Sequence, residues 1–425
     1  MAPVEPLLSD KIDLSRYLRP GDAILWNQGT AEPLTLTEAL VRQRAKLGHC
    51  SVFLGLTNSP TLQPEHADHL SFLSYCGLAQ NRRLMQAGVL DVIPCHCSQV
   101  PALLSSQAIP NDVVFLHLSP PGPNGKRSLG IANDYLLAAA RRARVVIAEV
   151  NEQMPWTYAD PQGLDAIRID AFVHSSRPLL ELPPGPIGEI EQRIAQHAAP
   201  FIEDGAVLEM GIGAIPDAIL ASLADRRDLG IHSGMIGDSV VDLIESGAVT
   251  NARKTLDPGL TTAGVLLGTQ RLYRFAEHNP GLNLQPYSYT HAIATLARLD
   301  RFTAINSAIE VDLTGQINAE VINGGYVGAL GGQSDFVRGA LAAKDGRSII
   351  ALPSTAQHGT VSRIVLALTE GITTTARSDA DIFVTEWGAA QLRGQPLSER
   401  IRRMIAIAHP AHREQLEQAS FKKRP

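Results

Sequence analysis

The sequence predicts an α/β protein built of two related domains in tandem. Three observations lead to this prediction. Short apolar segments at residues 113–118 and 145–150 alternate with helical segments, a Pro-rich stretch at 182–186 interrupts the chain, and the segment 204–208 echoes the segment 21–25. Strands that alternate with helices of this length indicate βαβ units and a largely parallel sheet.

Size and composition are those of a globular protein with more than one domain. The 425 residues exceed what one hydrophobic core usually serves. Apolar residues make up 44% and charged residues 19%, and the net charge of −6 is spread without long runs. Because a nucleic-acid-binding face needs clustered basic residues, we expect no nucleic-acid partner.

No apolar run has the length of a membrane span and residues 1–10 lack a signal-peptide pattern, so we expect a cytoplasmic protein without a membrane partner.

The first half alternates between strands and helices. We predict strands at residues 23–26, 52–56, 113–118 and 145–150, and helices at residues 34–46, 80–87 and 133–144. The segment 113–118 is apolar throughout, as expected for a parallel strand that is covered on both faces. The four cysteines lie between residues 50 and 97, and Cys95-His96-Cys97 lacks a second ligand pair at zinc spacing. We therefore predict buried, reduced thiols and no metal site.

A linker and a repeat divide the chain near residue 188. Three prolines and a glycine at 182–186 cannot continue a helix or a central strand, so we predict domains at 1–187 and 188–425. In the register of the repeat, Pro120 stands where the second half has Glu310. Since one half carries the carboxylate and the other does not, we predict a single active site in the cleft between the domains.

The second half repeats the alternation, with more glycine in its loops. We predict strands at residues 207–210, 348–352 and 382–385, helices at 217–224 and 397–408, and a polar loop at 232–238 followed by a helix that ends at Glu245. The turn at 211–216 either cradles a phosphate on backbone N–H groups or is a tight strand-to-helix turn. It lacks the spacing of a dinucleotide-binding loop and of a P-loop. Five glycines at 324–332 suit close backbone approach to a ligand or a flexible turn.

The segment 304–318 holds the main candidate for chemistry. Apolar and polar residues alternate from 305 to 313, which predicts one strand with a buried face. Glu310 and Asp312 share the other face, which is either solvated or presents Glu310 to a cleft as a nucleophile. The absence of G-x-S-x-G and H-E-x-x-H disfavours serine hydrolases and zinc proteases. A carboxylate can attack an activated acyl group, and N–H groups of glycine loops can then hold the oxyanion.

Several motifs resemble one enzyme family along nearly the whole chain. They lie at residues 148–151, 154–155, 211–216, 306–316, 331–340, 385–388, 392–394 and 405–410. With these motifs the sequence resembles the acetyl-CoA hydrolase/transferase family, in the shorter branch typified by 4-hydroxybutyrate CoA-transferase. The resemblance implies two tandem α/β domains of CoA-transferase (NagB/RpiA-like) type, with acyl-CoA and a carboxylic acid as substrates and no permanently bound cofactor. A homodimer or larger homo-oligomer is expected for a chain of this size.

The resemblance also implies roles for individual residues. Glu310 matches the family's nucleophilic glutamate, which attacks an acyl-CoA thioester and then carries CoA as a glutamyl-CoA thioester to a second acid. Gly388 matches a backbone contributor near the acyl group. The CoA and acyl channel is lined by Gly211, Gly213, Pro216, Gly328, Gly331 and Gly332. Asp312 is expected to turn toward N–H donors or positive charge, because a nucleophile beside it should stay ionised.

The chain departs from the family pattern at two glycines. Gly234 stands where a glutamate usually follows His232-Ser233, and Gly237 stands where serine is common. These departures bear on how the second substrate is held and on which acid is used. Two alternatives to CoA transfer remain open, namely hydrolysis of acyl-CoA by water and non-catalytic binding of an acyl-CoA or a sugar phosphate.

Overall fold

The computed structural model describes residues 7–8, 12–122, 125–159 and 161–422. The chain divides into unit 1, Met1–Pro183 with Thr262–Thr290, and unit 2, Pro184–Thr261 with His291–Pro425. The domain boundary at residue 188 stays a prediction, and nothing in the sequence pattern indicated that residues 262–290 return to the first unit. Most of residues 1–10, on which the signal-peptide prediction rests, lie outside the described residues.

Twenty-three strands are defined in the described ranges, several of them only two residues long. In chain order they are β1 (Leu7–Leu8), β2 (Ala23–Trp26), β3 (Cys50–Leu54), β4 (Leu70–Ser74), β5 (Leu90–Val92), β6 (Val113–Leu118), β7 (Val145–Asn151), β8 (Ala171–Ser175), β9 (Val207–Met210), β10 (Gly230–Ile236), β11 (Thr261–Leu266), β12 (Leu282–Leu284), β13 (Phe302–Asn306), β14 (Glu310–Asp312), β15 (Ile317–Asn318), β16 (Val321–Ile322), β17 (Gly325–Tyr326), β18 (Arg347–Ala351), β19 (Thr355–Ala356), β20 (Val361–Ser362), β21 (Ile364–Val365), β22 (Ile382–Thr385) and β23 (Gly388–Gln391).

The α-helices are mostly short. They are α1 (Leu34–Leu47), α2 (Asn81–Gln86), α3 (Val100–Ser105), α4 (Leu136–Ala140), α5 (Pro161–Asp165), α6 (Glu189–Ala198), α7 (Ala214–Ala221), α8 (Asp238–Glu245), α9 (Gln270–Ala276), α10 (Tyr287–Thr290), α11 (Ile293–Leu296), α12 (Gln333–Ala342), α13 (Leu397–Ala406) and α14 (Pro410–Lys422). No helix in the described part of the chain is both long and apolar enough to cross a membrane.

Unit 1 is built on a parallel sheet of eight strands. Their order is β1-β8-β7-β6-β2-β3-β4-β5, and every neighbouring pair is parallel. All residues of β6 and β7 are buried, as predicted for apolar strands that are covered on both faces. The four cysteines are also buried, which agrees with the prediction. The helix predicted at 133–144 is confined to Leu136–Ala140.

Unit 2 has a mixed sheet whose parallel part carries most of the predicted site. Strands β10-β9-β13-β18-β22 are parallel neighbours, and β23 pairs antiparallel with β22. Helix α12 packs on one face, where Phe336 and Ala340 join Val207, Phe302 and Ala304 in an apolar cluster. Because the strands run in parallel, their carboxyl ends lie at one edge, where α/β proteins usually bind ligands.

The prediction of one strand over residues 305–313 is wrong. Strand β13 ends at Asn306 in the parallel sheet, and Glu310 begins β14 in a separate three-stranded sheet of order β15-β14-β21. The backbone bonds explain the change of sheet, because the N–H of Ile309 donates to the Asn318 carbonyl and that of Val311 to the Arg363 carbonyl. An alternating pattern alone does not reveal such a break, since it continues across it.

Two further boundaries differ from the sequence prediction. Residues 232–236 belong to β10 rather than to a loop, because His232 and Ser233 are fully buried and the Ser233 hydroxyl donates to the Met210 carbonyl on the neighbouring strand. Helix α7 begins at Ala214 rather than at the predicted residue 217, so Pro216 lies in its first turn. A proline is tolerated anywhere in the first turn, where the N–H groups have no partner within the helix.

Candidate active site

Glu310 opens β14 and is half-buried, with both carboxylate oxygens engaged. Its Oε1 accepts hydrogen bonds from the Thr369 backbone N–H at 2.9 Å and from Asn318 Nδ2 at 3.3 Å, and its Oε2 accepts one from the Thr369 hydroxyl at 2.9 Å. Asn318 is fixed in turn, because its Oδ1 accepts from the backbone N–H groups of Glu320 and Val321. A carboxylate has about four acceptor positions. Three donors therefore orient Glu310 and leave about one position for another group.

The Asp312 carboxylate, two residues further on, accepts hydrogen bonds only from residues of the turn that follows it. Its Oδ1 accepts hydrogen bonds from the backbone N–H and hydroxyl of Thr314 and from the backbone N–H of Gln316, and its Oδ2 accepts from Gln316 Nε2. The side chain is 2% exposed. The expectation that Asp312 turns toward N–H donors is confirmed, and this carboxylate shapes the turn at Gly315.

The turn at residues 211–216 joins β9 to the N-terminus of α7. Gly213 caps α7 with a φ of +118°, which a residue with a side chain rarely adopts. A Cβ added at Gly213 would have no atom within 4 Å, and one added at Gly211 would meet only the Pro216 ring at 4.0 Å. The space above this turn is open, and a helix N-terminus there favours an anionic or carbonyl oxygen ligand.

The glycine-rich loop at 328–332 joins the hairpin of β16 and β17 to α12. Gly328 must be glycine, because an added Cβ would lie 1.9 Å from the Ala319 carbonyl oxygen. Gly331 has a φ of +55°, and Gly332 caps α12. Gln333 follows and donates from Nε2 to the Ser307 carbonyl at 2.6 Å, which ties the start of α12 to the segment before Glu310.

A buried carboxyl and an amide lie at the carboxyl ends of β9 and β13. Glu209 is 3% exposed, and its Oε2 accepts a hydrogen bond from Asn306 Nδ2 at 2.8 Å. Burial raises the pKa of Glu209 to about 8, against the opposing effect of hydrogen bonds from Asn306 and the Ile305 backbone. The Glu209 carboxyl is therefore mostly neutral at pH 7.

Gly234 lies on β10 at the same edge, and the His291 ring fills the space beside it. A Cβ added at Gly234 would lie 2.7 and 2.8 Å from two atoms of the imidazole. His291 is 3% exposed, and its ring packs at a tilt against Phe336 of α12, with the ring centroids 4.5 Å apart. Burial lowers the pKa of His291 to about 3, with a further contribution from His232. Position 234 thus carries no side chain, and a neutral imidazole occupies the space beside it.

Gly388 lies away from this group, on the outermost strand of the sheet. It begins β23 with a φ of +140° and pairs with Thr385. Strand β23 is three strands from β13, which corresponds to about 14 Å across a sheet. Near it, Glu386 is buried and accepts hydrogen bonds from the backbone N–H and hydroxyl of Ser354, which fixes the loop after β18.

The structure brings some of the predicted residues together and separates others. The Gly211 turn, the segment that leads to Glu310 and the start of α12 meet at the carboxyl edge, through the Glu209–Asn306 and Gln333–Ser307 hydrogen bonds. Gly388 is not part of this group. Sequence reasoning missed the partners of these groups, which are Asn318, Thr369, Glu209, Asn306 and His291. Residues so distant in the chain give no local pattern that would connect them.

Comparison with known proteins identifies the family over nearly the whole chain. The acetyl-CoA hydrolase/transferase N-terminal domain matches residues 8–166, and the C-terminal domain of the same family matches residues 268–420. The 4-hydroxybutyrate coenzyme A transferase of Clostridium kluyveri is 39% identical over 408 residues, which cover 94% of each chain. By contrast, the acetyl-CoA hydrolase of Yarrowia lipolytica is 34% identical over 232 residues, which cover 50% of this chain and 41% of the hydrolase.

Solved structures give the same result. The crystal structure of RipA from Yersinia pestis matches with a TM-score of 0.90 and 36% identity over 96% of this chain and 95% of RipA. The 4-hydroxybutyrate CoA-transferase from Porphyromonas gingivalis matches with a TM-score of 0.82 and 34% identity over 98% and 97% of the two chains. The predictions of an α/β fold of this type and of a CoA-transferase enzyme are confirmed, and the chain belongs to the acetyl-CoA hydrolase/transferase family.

Proposed function

We propose that this protein transfers CoA between a short-chain acyl-CoA, such as acetyl-CoA, and a small carboxylic acid such as 4-hydroxybutyrate. The observation that carries the proposal is the similarity to a 4-hydroxybutyrate coenzyme A transferase over 94% of both chains. Similarity to an acetyl-CoA hydrolase covers half of the chain, which favours transfer over hydrolysis. A cytoplasmic location, a homo-oligomeric state and the absence of a bound cofactor or metal stay predictions.

Glu310 is the acyl acceptor in this proposal. Its carboxylate adds to the thioester carbonyl, the C–S bond breaks, and a mixed anhydride and CoA thiolate form. The thiolate then attacks the glutamyl carbonyl, releases the first acid and leaves a glutamyl-CoA thioester, which the second acid attacks to begin the reverse sequence. The thioester bond energy is conserved throughout, so no ATP is needed. The three hydrogen bonds to Glu310 support the proposal, because they orient the carboxylate and leave it an acceptor position.

The glycines at the carboxyl edge of the sheet provide the channel. Gly388 stays a separate oxyanion candidate, on a strand three positions from β13 in the sheet. Backbone N–H groups at the starts of α7 and α12 suit the oxygens of CoA and of the acyl group. The channel residues in this proposal are Gly211, Gly213, Pro216, Gly328, Gly331 and Gly332.

The proposal is tested by trapping the enzyme-bound thioester. The protein is incubated with acetyl-CoA, reduced with borohydride and mapped by peptide mass spectrometry. We expect reduction at Glu310 in the wild-type chain and in the control Glu370→Gln, and no reduction in Glu310→Ala. The partly buried Glu370 carboxylate accepts a hydrogen bond from the Gly324 N–H and serves as a control for a neighbouring acid. A label on another residue would remove Glu310 from its role.

The acceptor is tested separately by following the fate of the acyl group. Acetyl-CoA consumption is measured with and without 4-hydroxybutyrate, and the products are separated as acetate, CoA and the new acyl-CoA. Formation of the new acyl-CoA with little free CoA is expected for transfer. Stoichiometric free CoA, independent of the acid, would identify a hydrolase, and an unchanged acetyl-CoA pool would identify a binding protein.

A further inference from the structure

Arg363 lies directly beside Glu310, on the neighbouring strand. Strands β14 and β21 pair in parallel with Val311 opposite Ile364, and the Val311 N–H donates to the Arg363 carbonyl. One residue back along both strands, Glu310 is therefore opposite Arg363. Side chains alternate between the two faces of a sheet, and residues that are opposite each other share a face. Because Val311 and Ile364 are both buried in an apolar cluster, Glu310 and Arg363 point to the other face.

A second carboxylate lies on the far side of Arg363. The Arg363 N–H donates to the Ser354 carbonyl, which continues the antiparallel pairing of β19 with β20. The backbone N–H and the hydroxyl of Ser354 in turn donate to the Glu386 carboxylate. Burial lowers the pKa of the Arg363 guanidinium, and the negative charge of Glu386 opposes this effect, so Glu386 is within electrostatic range. Arg363 thus lies between Glu310 and Glu386.

The Arg363 guanidinium has donors to spare. It makes no hydrogen bond and no ion pair with any residue in the described part of the chain. The carboxylates of Glu310 and Glu386 are each held by the other donors named above. Arginine stays charged in proteins and carries five N–H donors. Because Arg363 and Glu310 are both partly exposed, these donors are available to an anion that binds beside Glu310.

The anion that suits this position is a carboxylate. In coenzyme A the pantetheine arm separates the phosphate groups from the sulfur, so the phosphates lie far from a thioester at Glu310. The second substrate of CoA transfer is a carboxylic acid, whose carboxylate has to reach the glutamyl carbonyl carbon. A planar guanidinium matches the two oxygens of a carboxylate in a bidentate pair.

We propose that Arg363 binds the carboxylate of the acid substrate beside Glu310. This inference rests on the proposed function. One oxygen of the bound acid attacks the glutamyl carbonyl carbon, the C–S bond breaks, and CoA leaves as thiolate with the electron pair of that bond. The thiolate then attacks the acyl carbonyl of the mixed anhydride, which forms the new acyl-CoA and releases Glu310 as carboxylate. Arg363 keeps its proton throughout and acts by orienting the acid.

The charge of Glu310 also favours one order of substrates. In the free enzyme the Glu310 carboxylate repels a second carboxylate at the neighbouring position. When Glu310 carries CoA as a thioester, its side chain is neutral, and the positive charge of Arg363 attracts the acid without that repulsion. We therefore expect the acid to bind after CoA has been transferred to Glu310.

The test measures 4-hydroxybutyrate binding by calorimetry in Glu310→Gln, which keeps the shape of the side chain, removes its charge and cannot carry CoA. We expect this variant to bind the acid more tightly than the wild-type chain does. Adding Arg363→Met should weaken binding by about 10- to 100-fold, as expected for the loss of hydrogen bonds from a charged group. Adding Arg363→Lys should give an intermediate affinity, because lysine keeps the charge without the planar fork. The control is Arg347→Met, which removes an ion pair with Glu203 at the start of β18 and should bind as Glu310→Gln does.

Further ligands identify the chemistry that is recognised. The uncharged 4-hydroxybutyramide has the length of the acid, and we expect its affinity not to change with Arg363→Met. CoA should bind Arg363→Met as it binds the wild-type chain. In turnover, Arg363→Met should raise the KM for 4-hydroxybutyrate by a factor similar to the loss of affinity, with the KM for acetyl-CoA within about threefold of wild type.

The outcomes separate this inference from the proposed function. If the wild-type chain shows no CoA transfer, the function fails, and calorimetry in Glu310→Gln still decides whether Arg363 binds the acid. No binding of 4-hydroxybutyrate, or equal affinity with and without Arg363→Met, would overturn the inference. A loss of CoA affinity in Arg363→Met would overturn it by assigning the guanidinium to a phosphate. Equal affinity of the wild-type chain and Glu310→Gln for the acid would show that the acid does not bind beside Glu310. Should Arg363→Met not fold, Arg363→Lys alone supplies the decision.

Discussion

The contact between Gly234 and His291 gives the sharpest prediction about stability. A methyl group at position 234 would lie 2.7 and 2.8 Å from the imidazole and 3.2 Å from Phe336, whereas ordinary contacts begin near 3.4 Å. The ring cannot retreat, because Gly332 and Phe336 lie against it. Adding a methyl group to a packed interior costs about 1–3 kcal/mol. We expect Gly234→Ala to lower the free energy of unfolding by about 2–3 kcal/mol.

The assay is urea unfolding followed by circular dichroism, with a double-mutant cycle. Gly185→Ala is the matched control, because an added Cβ there would lie 4.0 Å from Ala214. His291→Ala alone leaves a cavity, and combining it with Gly234→Ala removes the clash. The double variant should therefore be more stable than the sum of the single effects predicts, by about 1–2 kcal/mol.

Two results would refute the reasoning. A Gly234→Ala variant as stable as Gly185→Ala would show that the imidazole does not occupy the space beside β10. Strict additivity in the cycle would show that the cost of the methyl group arises elsewhere.

The remaining predictions concern a buried acid and a glycine. Because the pKa of Glu209 is about 8 in the folded chain and 4.5 for an ordinary glutamate, the folded chain holds more protons than the unfolded chain between these values, and its stability falls as the pH rises from about 4.5 to 8. Glu209→Gln removes this loss. The free energy of unfolding of the variant minus that of the wild type should therefore be more positive at pH 9 than at pH 5, by about 3–5 kcal/mol. The same value of this difference at both pH values would contradict a neutral buried acid. Gly328→Ala should cost about 3 kcal/mol or more, since the added Cβ would lie 1.9 Å from the Ala319 carbonyl oxygen. Thermal unfolding checks this result, and a variant as stable as wild type would contradict the loop geometry.

Local patterns were enough to predict the fold class and the parallel strands. The apolar runs at β6 and β7 predicted buried strands because a strand covered on both faces needs apolar residues at every position. The motifs predicted the family, which the comparisons confirm. The pattern around Glu310 predicted one strand where the structure has two. The alternation of apolar and polar residues continues across the break between β13 and β14, although the backbone hydrogen-bond partners change there.

The sequence by itself determined that this is an α/β member of a CoA-transferase family with Glu310 in a strand context and glycine-rich turns around it. The tertiary structure decided which groups meet. It gave Glu310 its donors from Thr369 and Asn318, put Glu209 beside Asn306, and filled the space at Gly234 with His291. These contacts join residues up to 97 positions apart. They depend on strand order and register, which burial across the whole sheet decides and no local pattern of residues encodes.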